Sequence, residues 1–181
     1  HMIATIGENM TIRRCDVMSV GNGVLSTYVH NAMVDGIGKI AVIVGLESTG
    51  DKGKLEAFGK QLAMHVAAAK PQSVSRDELD PEILERERVV LSEQARESGK
   101  PEEIIGKMVE GRLRKFYEEV CLLDQTFVID GETQVSKAVE AAGKDAGGAI
   151  SINGFKMFVL GEGIEKEVGD FAAEVAAAAG S

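Results

Sequence analysis

The rhythm of apolar and polar positions changes several times along the chain, and each change marks an element. Up to about residue 44 it is the short rhythm of β structure. Ile3 to Val17 carries the alternation Met10, Ile12, then Arg14, which predicts a first strand. Gly21-Asn22-Gly23 is a turn signal, and Leu25 to His30 reads as a second strand closed by Asp35-Gly36-Ile37-Gly38. Ile40-Ala41-Val42-Ile43-Val44, mostly β-branched, is the third and strongest. After the loop Gly45 to Gly53 the period lengthens to that of a helix. Leu55, Phe58, Leu62, Val66 and Ala69 form one stripe on a helix from about Lys54 to Ala69, stopped by Lys70-Pro71.

Asp80-Pro81 is a helix start, with Asp as cap and Pro at the first helical position. That helix runs to about Ser98 and ends at Gly99. Pro101 opens another, acidic at Glu102 and Glu103 and basic later, which suits the helix dipole. Its stripe is Ile105, Met108, Val109, Leu113, Phe116 and Val120, and a shorter helix follows from Thr133 to Ala142. These two amphipathic helices predict an antiparallel hairpin arm. Ile150 to Leu160 reads as a strand, Gly161 to Gly163 as a turn, and Val168 to Ala179 as a last helix. "KIAVIVGL" followed by "LAMHVAAA" is echoed by "FKMFVLGEG" followed by "FAAEVAAA", so that His65 corresponds to Glu174. A duplicated α+β unit with a helical insertion is the simplest architecture for such an echo.

Charge and composition narrow the function. The formal net charge of −9 argues against a nucleic-acid binder and against docking on an anionic membrane. No apolar run reaches the ~20 residues of a spanning helix. His1-Met2 reads as a cloning remnant, and no secretory leader is expected. Cys15 and Cys121, with no CxxC, read as free thiols in a reducing cytoplasm. With no Trp, two Tyr and six Phe, the core must come from aliphatic side chains.

Candidate chemistry is thin. Gly45 and Gly50 have the spacing of a phosphate loop, but Asp51 stands where that loop needs Lys. The histidines have no metal-ligand spacing, no Ser or Cys nucleophile signature is present, and the carboxylates fall on polar helix faces. No catalytic residue, metal or cofactor is therefore expected. At ~100° per residue, His65 lies at the edge of the apolar arc, beside Lys54 and Gln61, while Met64 points to the opposite side among Ala57, Ala67 and Ala68. A helix end that is apolar nearly all round is buried on two sides or against a partner. His65 is then either a satisfied edge-of-core histidine or a contact.

Four stretches, "IGENMTIRR", "LAMHVAAAKP", "SGKPEEIIGKMVEGRLRKFYEEVCLLDQTFV" and "GEGIEKEVGDFAAEVA", resemble the bacterial elongation factor Ts family, in order and over nearly the whole chain. The resemblance implies a cytoplasmic nucleotide exchange factor that binds elongation factor Tu, GDP-bound and nucleotide-free, and releases its GDP. It implies an α+β fold of two similar subdomains, each a small antiparallel sheet packed on helices, with an inserted antiparallel coiled-coil hairpin. Laid on this chain, residues 1–57 are the core N-subdomain, 58–97 with 146–167 the core C-subdomain, 98–145 the arm and 168–181 a C-terminal helix module. The partner-contacting histidine of the A-M-H-V-A motif is His65, accompanied by Met64. The contacting strand pair, Ile-Gly in the family, falls on Ile40 and Ala41. Val128 is expected at the interface, and Ala178 stands where the terminal helix makes a larger apolar contact.

The family's N-terminal domain and its Thr-Asp-Phe-Val segment ahead of the IGEN motif find no match here, so binding with reduced exchange activity is expected. Two other functions remain open on sequence: a small nucleotide-binding enzyme using the Gly45 to Gly53 loop, and an oligomerisation module built on the arm, whose stripe also leaves a homodimer open.

Overall fold

The computed structural model describes residues 1–8, 11–97 and 99–164. The expected terminal helix with Ala178, and Met10 of the first predicted strand, lie outside the described residues. Strands β1 (Gly23–His30), β2 (Ile40–Glu47) and β3 (Ser151–Val159) pair in that order, each antiparallel to its neighbour. The register lines up Ser26, Val44 and Phe155, then Tyr28, Val42 and Met157. The period of two thus gathers Val24, Val42, Val44 and Leu46 on one buried face.

Helix α2 (Lys52–Ala69) lies against that face with Leu55, Phe58, Leu62 and Val66 buried, the stripe its sequence predicts. Each such leucine, wholly buried at positions 55 and 62, contributes roughly 1.5–3 kcal/mol. Gly59 permits the close approach, since a Cβ there would overlap the Ser26 hydroxyl. The helix starts where the Asp51 carboxylate accepts the Lys54 N–H at 2.9 Å. It stops at Lys70, whose φ of 50° is left-handed.

The two echo strands are neighbours in this one sheet, β2 beside β3. Among the described residues a single sheet therefore stands where two were expected. The mixed α+β composition with a small antiparallel sheet holds.

Among the described residues the first predicted strand is absent. Met2–Ile6 is a short helix, α1, and residues 11–20 form no regular element. That segment is tied to the outer face of the sheet by side chains rather than a hydrogen-bond ladder. Arg13 donates to the Glu162 and Gly163 carbonyls, Arg14 pairs with Glu162 at 3.1 Å and lies over the Phe158 ring, and Asp16 meets Lys156 at 2.8 Å. Met18 and Val20 press on Gly45, where a Cβ would stand 3.0 Å from each. Alternation predicts pairing, but the segment is held by side-chain contacts, polar at Arg13, Arg14 and Asp16 and apolar at Met18 and Val20.

Helix α3 (Pro81–Arg96) begins as the Asp-Pro signal predicts, with the Asp80 carboxylate accepting the Glu82 N–H at 2.9 Å. It packs antiparallel on α4 (Glu102–Val120): Leu91 and Ala95 meet Ile105 and Val109, and Leu84 lies with Phe116 and Tyr117 at the other end. Arg112 to Gln94 at 2.8 Å and Arg96 to Glu102 at 3.6 Å stitch the pair. The hairpin expected from the sequence pairs α4 with the following helix instead. That helix, α5 (Val135–Ala146), buries Val135, Val139 and Ala146 in the main core beside α2. The reason lies in the connections. Only residues 97–101 separate α3 from α4, whereas the longer link after α4 carries Leu122 and Phe127, which enter the main core and draw the chain back to it. Cys15 and Cys121 are free thiols, as expected.

Candidate functional site

The last turns of α2 are covered on two sides, as an all-apolar helix end requires. One side is the sheet. The other is the stretch after α4, a 3₁₀ turn at Leu122–Asp124 followed by Gln125, Thr126, Phe127 and Val128. His65 sits between them with 0% of its surface exposed. Both ring nitrogens are used. The Val128 N–H donates to Nδ1 at 3.2 Å, and Nε2 lies 2.9 Å from the Gln125 Oε1. Because Nδ1 accepts, Nε2 carries the proton and donates to Gln125. The Gln125 amide nitrogen in turn donates to the Glu119 carbonyl at 2.7 Å. The imidazole packs 5.6 Å from the Phe127 ring, which stands 6.1 Å from Phe58. Burial pushes the His65 pKa below its ordinary 6.5, against the opposing pull of the Gln125 hydrogen bond. At neutral pH the ring is uncharged and satisfied.

In front of this corner lies an open groove of about 340 Å³. Ile40, Met64 and Val128, expected at a partner contact, all line it. Met64 is 37% exposed and Val128 46%. Ala67 and Ala68 form part of its wall. Tyr28, His30 and Ile129 complete the lining and were not anticipated. The β1–β2 register, which sets His30 opposite Ile40, brings in the first two. A period-of-two reading finds them only once the partner strand is known. Ile129, 43% exposed, follows Val128 in the chain. The Tyr28 hydroxyl and His30 Nδ1 share a 2.9 Å hydrogen bond at the rim.

Two expected residues are not brought here. Ala41 follows Ile40 on β2 and faces the opposite side of the sheet, where it pairs with Val29 and Phe158. Ala178 lies outside the described residues. His65 is behind the groove wall and does not line it.

In the glycine loop between β2 and α2, several donors are bonded within the protein. The Gly50 N–H donates to Ser48 Oγ at 3.1 Å and the Asp51 N–H to the Ala146 carbonyl at 2.8 Å. The Lys54 ammonium donates to the Asp145 carbonyl and carboxylate at 2.8 and 2.9 Å. A Cβ at Gly50 would stand 2.8 Å from the Ala146 oxygen, so the loop is packed against α5. Among the described residues, no group of three or more His, Cys, Asp or Glu side chains is placed to hold a metal ion, and no helix is long and apolar enough to cross a membrane.

Comparison with known proteins bears on this arrangement. The family model for elongation factor Ts matches residues 1–162. The chain is 59% identical over 180 residues to elongation factor Ts of Rhodospirillum centenum, covering 99% of this chain and 59% of that protein. It is 60% identical over 181 residues to that of Gluconobacter oxydans, covering 100% of this chain and 58% of the relative. With that of Rhodospirillum rubrum the identity is 60% over 177 residues, 98% of this chain and 57% of the relative. The chain thus spans 57 to 59% of the length of these relatives.

Proposed function

The chain belongs to the elongation factor Ts family, and from that premise we propose that it is a binding protein that docks on elongation factor Tu in the cytoplasm and promotes release of GDP. It engages the GDP-bound GTPase and favours the nucleotide-free one. No bond is made or broken by its own residues. Exchange needs only that partner binding and nucleotide binding weaken each other by the same factor, a coupling of typically ~1–3 kcal/mol. The net charge of −9 does not oppose this, because the surface to be met is protein.

One observation carries the reading. Ile40 and Val128, distant in sequence and named by the family resemblance, line one open apolar groove together with Met64. An apolar element of the GTPase inserted there would exclude water from Met64, Val128 and Ile129, all substantially exposed in the free chain. A small nucleotide-binding enzyme built on the glycine loop draws no support, since the amides at Gly50 and Asp51 and the Lys54 ammonium are bonded within the protein.

Release of fluorescent GDP from purified elongation factor Tu tests the proposal. The chain is expected to accelerate release, and Met64→Asp and Val128→Asp are expected to abolish the acceleration while leaving the melting temperature close to that of the parent. A chain that leaves the release rate unchanged and gives no heat with the GTPase in calorimetry overturns the reading.

A further inference from the structure

The histidine that the resemblance places at the contact does not reach the groove, and the geometry around it points to a different role. We propose that His65 is a positioning residue: its Nδ1 holds the Val128 N–H, and so sets the depth at which Val128 and Ile129 stand in the groove, while Gln125 fixes the imidazole tautomer that makes Nδ1 an acceptor. The inference rests on the reading of the groove as the docking surface.

The relay starts at a backbone carbonyl. The Glu119 carbonyl can only accept, so the group facing it at 2.7 Å is the Gln125 amide nitrogen. A second, longer contact at 3.5 Å, to the Ala69 carbonyl, holds the amide the same way round. Gln125 Oε1 is thereby turned to His65, and an oxygen acceptor requires the proton on Nε2. The lone pair is then left on Nδ1, where the Val128 N–H meets it at 3.2 Å. Each step leaves one arrangement of donors and acceptors for the next. Gln125 is itself held through its backbone, its N–H to the Cys121 carbonyl at 3.2 Å and its carbonyl from the Val135 N–H at 2.9 Å. The relay therefore ties the end of α4 and the start of α5 to the two residues that form one wall of the groove. Burial of the ring excludes direct contact with a docked protein unless the wall opens, whereas Val128 is half-exposed and meets whatever enters.

Three substitutions at position 65 separate positioning from contact. In His65→Asn a side-chain oxygen takes the place of Nδ1. In His65→Gln a polar atom reaches the place of Nε2 but none stands at Nδ1. In His65→Leu the volume is kept with no acceptor. Two readouts are taken, each on variants whose thermal melts show a folded chain. In NMR of the free chain, wild type is expected to show the Nε2–H tautomer, with the Val128 amide protected from exchange. Protection is expected to persist in His65→Asn and to be lost in His65→Leu and His65→Gln. In calorimetry with GDP-loaded elongation factor Tu, His65→Asn is expected to bind within about threefold of wild type, and the other two to weaken by about tenfold or more.

An unchanged Val128 amide in His65→Leu overturns the relay. Equal loss of affinity in His65→Asn and His65→Leu, with the amide still held in His65→Asn, overturns positioning in favour of contact by the imidazole itself. A wild-type chain that binds no GTPase while its Val128 amide responds as expected overturns the docking reading alone, because the relay is then seen without the function it was assigned.

Discussion

Helix α2 has a polar cluster at each end, and the two ends divide their labour in opposite ways. At the N-terminal end the glycine loop looks like a ligand cradle and is not arranged as one. Asp51 caps the helix, the neighbouring amides are bonded to Ser48 and Ala146, and Lys54 rests on Asp145 at the surface. A helix N-terminus attracts anions, and here the protein supplies its own. At the C-terminal end the polar groups are sealed inside, each satisfied, and what faces outward is apolar. In the function proposed above, recognition falls to the end whose internal bonds leave hydrophobic surface free. A motif's shape matters less than whether its donors are still available.

The sharpest way to break this contrast is to remove the sealed cluster. His65→Ala deletes a wholly buried side chain and strands two polar groups, the Gln125 Oε1 and the Val128 N–H. Cavity and desolvation together are expected to cost about 3–5 kcal/mol, read as a lower midpoint in urea denaturation. A loss under about 1 kcal/mol would mean the corner is wetter and looser than its geometry, well below the range for a stranded buried group. Next in size is the other end. Gly50→Val forces side-chain atoms against the Ala146 carbonyl, 2.8 Å from where the Cβ would stand. Overpacking of this kind costs about 1–3 kcal/mol. If the variant instead melts like wild type, the loop is free of α5 and its donors are open to a ligand.

The N-terminal end of this contrast is visible in the sequence, and the groove end is not. The stripe Leu55, Phe58, Leu62, Val66 is a local period, and it is buried as read. Asp51 in the glycine loop is a local chemical fact, and it argued against a phosphate cradle before any geometry. The burial of His65 is not local. From the helix alone it sat at the edge of the apolar arc. What buries it is Phe127 and its neighbours, more than fifty residues on, folded back because Leu122 and Phe127 join the main core. For the same reason α4 was given the wrong neighbour. Its stripe shows that it has an apolar face, but a stripe does not say which helix fills it. Ala41 shows the limit of a resemblance: it follows Ile40, yet alternation on β2 turns it to the other face of the sheet.

A smaller and graded effect separates the two ends through pH. Burial holds the His65 pKa below 6.5, so below that pH the unfolded chain binds a proton that the folded chain refuses. Stability must then fall as pH drops from about 6.5 towards the lowered folded value, and rise again on the return. Asp16 and Asp130 have their pKa values lowered from 3.8, by Lys156 and by the Glu132 and Thr133 amides respectively. Their contribution is lost only near and below that more acid range, which leaves the upper window to His65. Denaturation midpoints between pH 7 and pH 5 should slope downward in wild type and flatten in His65→Asn. An equal slope in both would assign the effect elsewhere.

The smallest expected change comes from the exposed pair at the start of α2. Lys54 and Asp145 are 51% and 69% exposed, so water screens their attraction. Lys54→Met should cost no more than about 0.2–1 kcal/mol, and less in high salt. Its value lies in what else it leaves unchanged. If the loop held a phosphate with Lys54 among its cations beside Lys52, inorganic phosphate or GDP at millimolar concentration would raise the melting temperature of wild type by mass action. The internal bonds of Gly50, Asp51 and Lys54 predict no rise in either protein. A rise in wild type that disappears in Lys54→Met would reverse the contrast between the two ends of the helix, and would move the site of recognition from the apolar groove to the glycine loop.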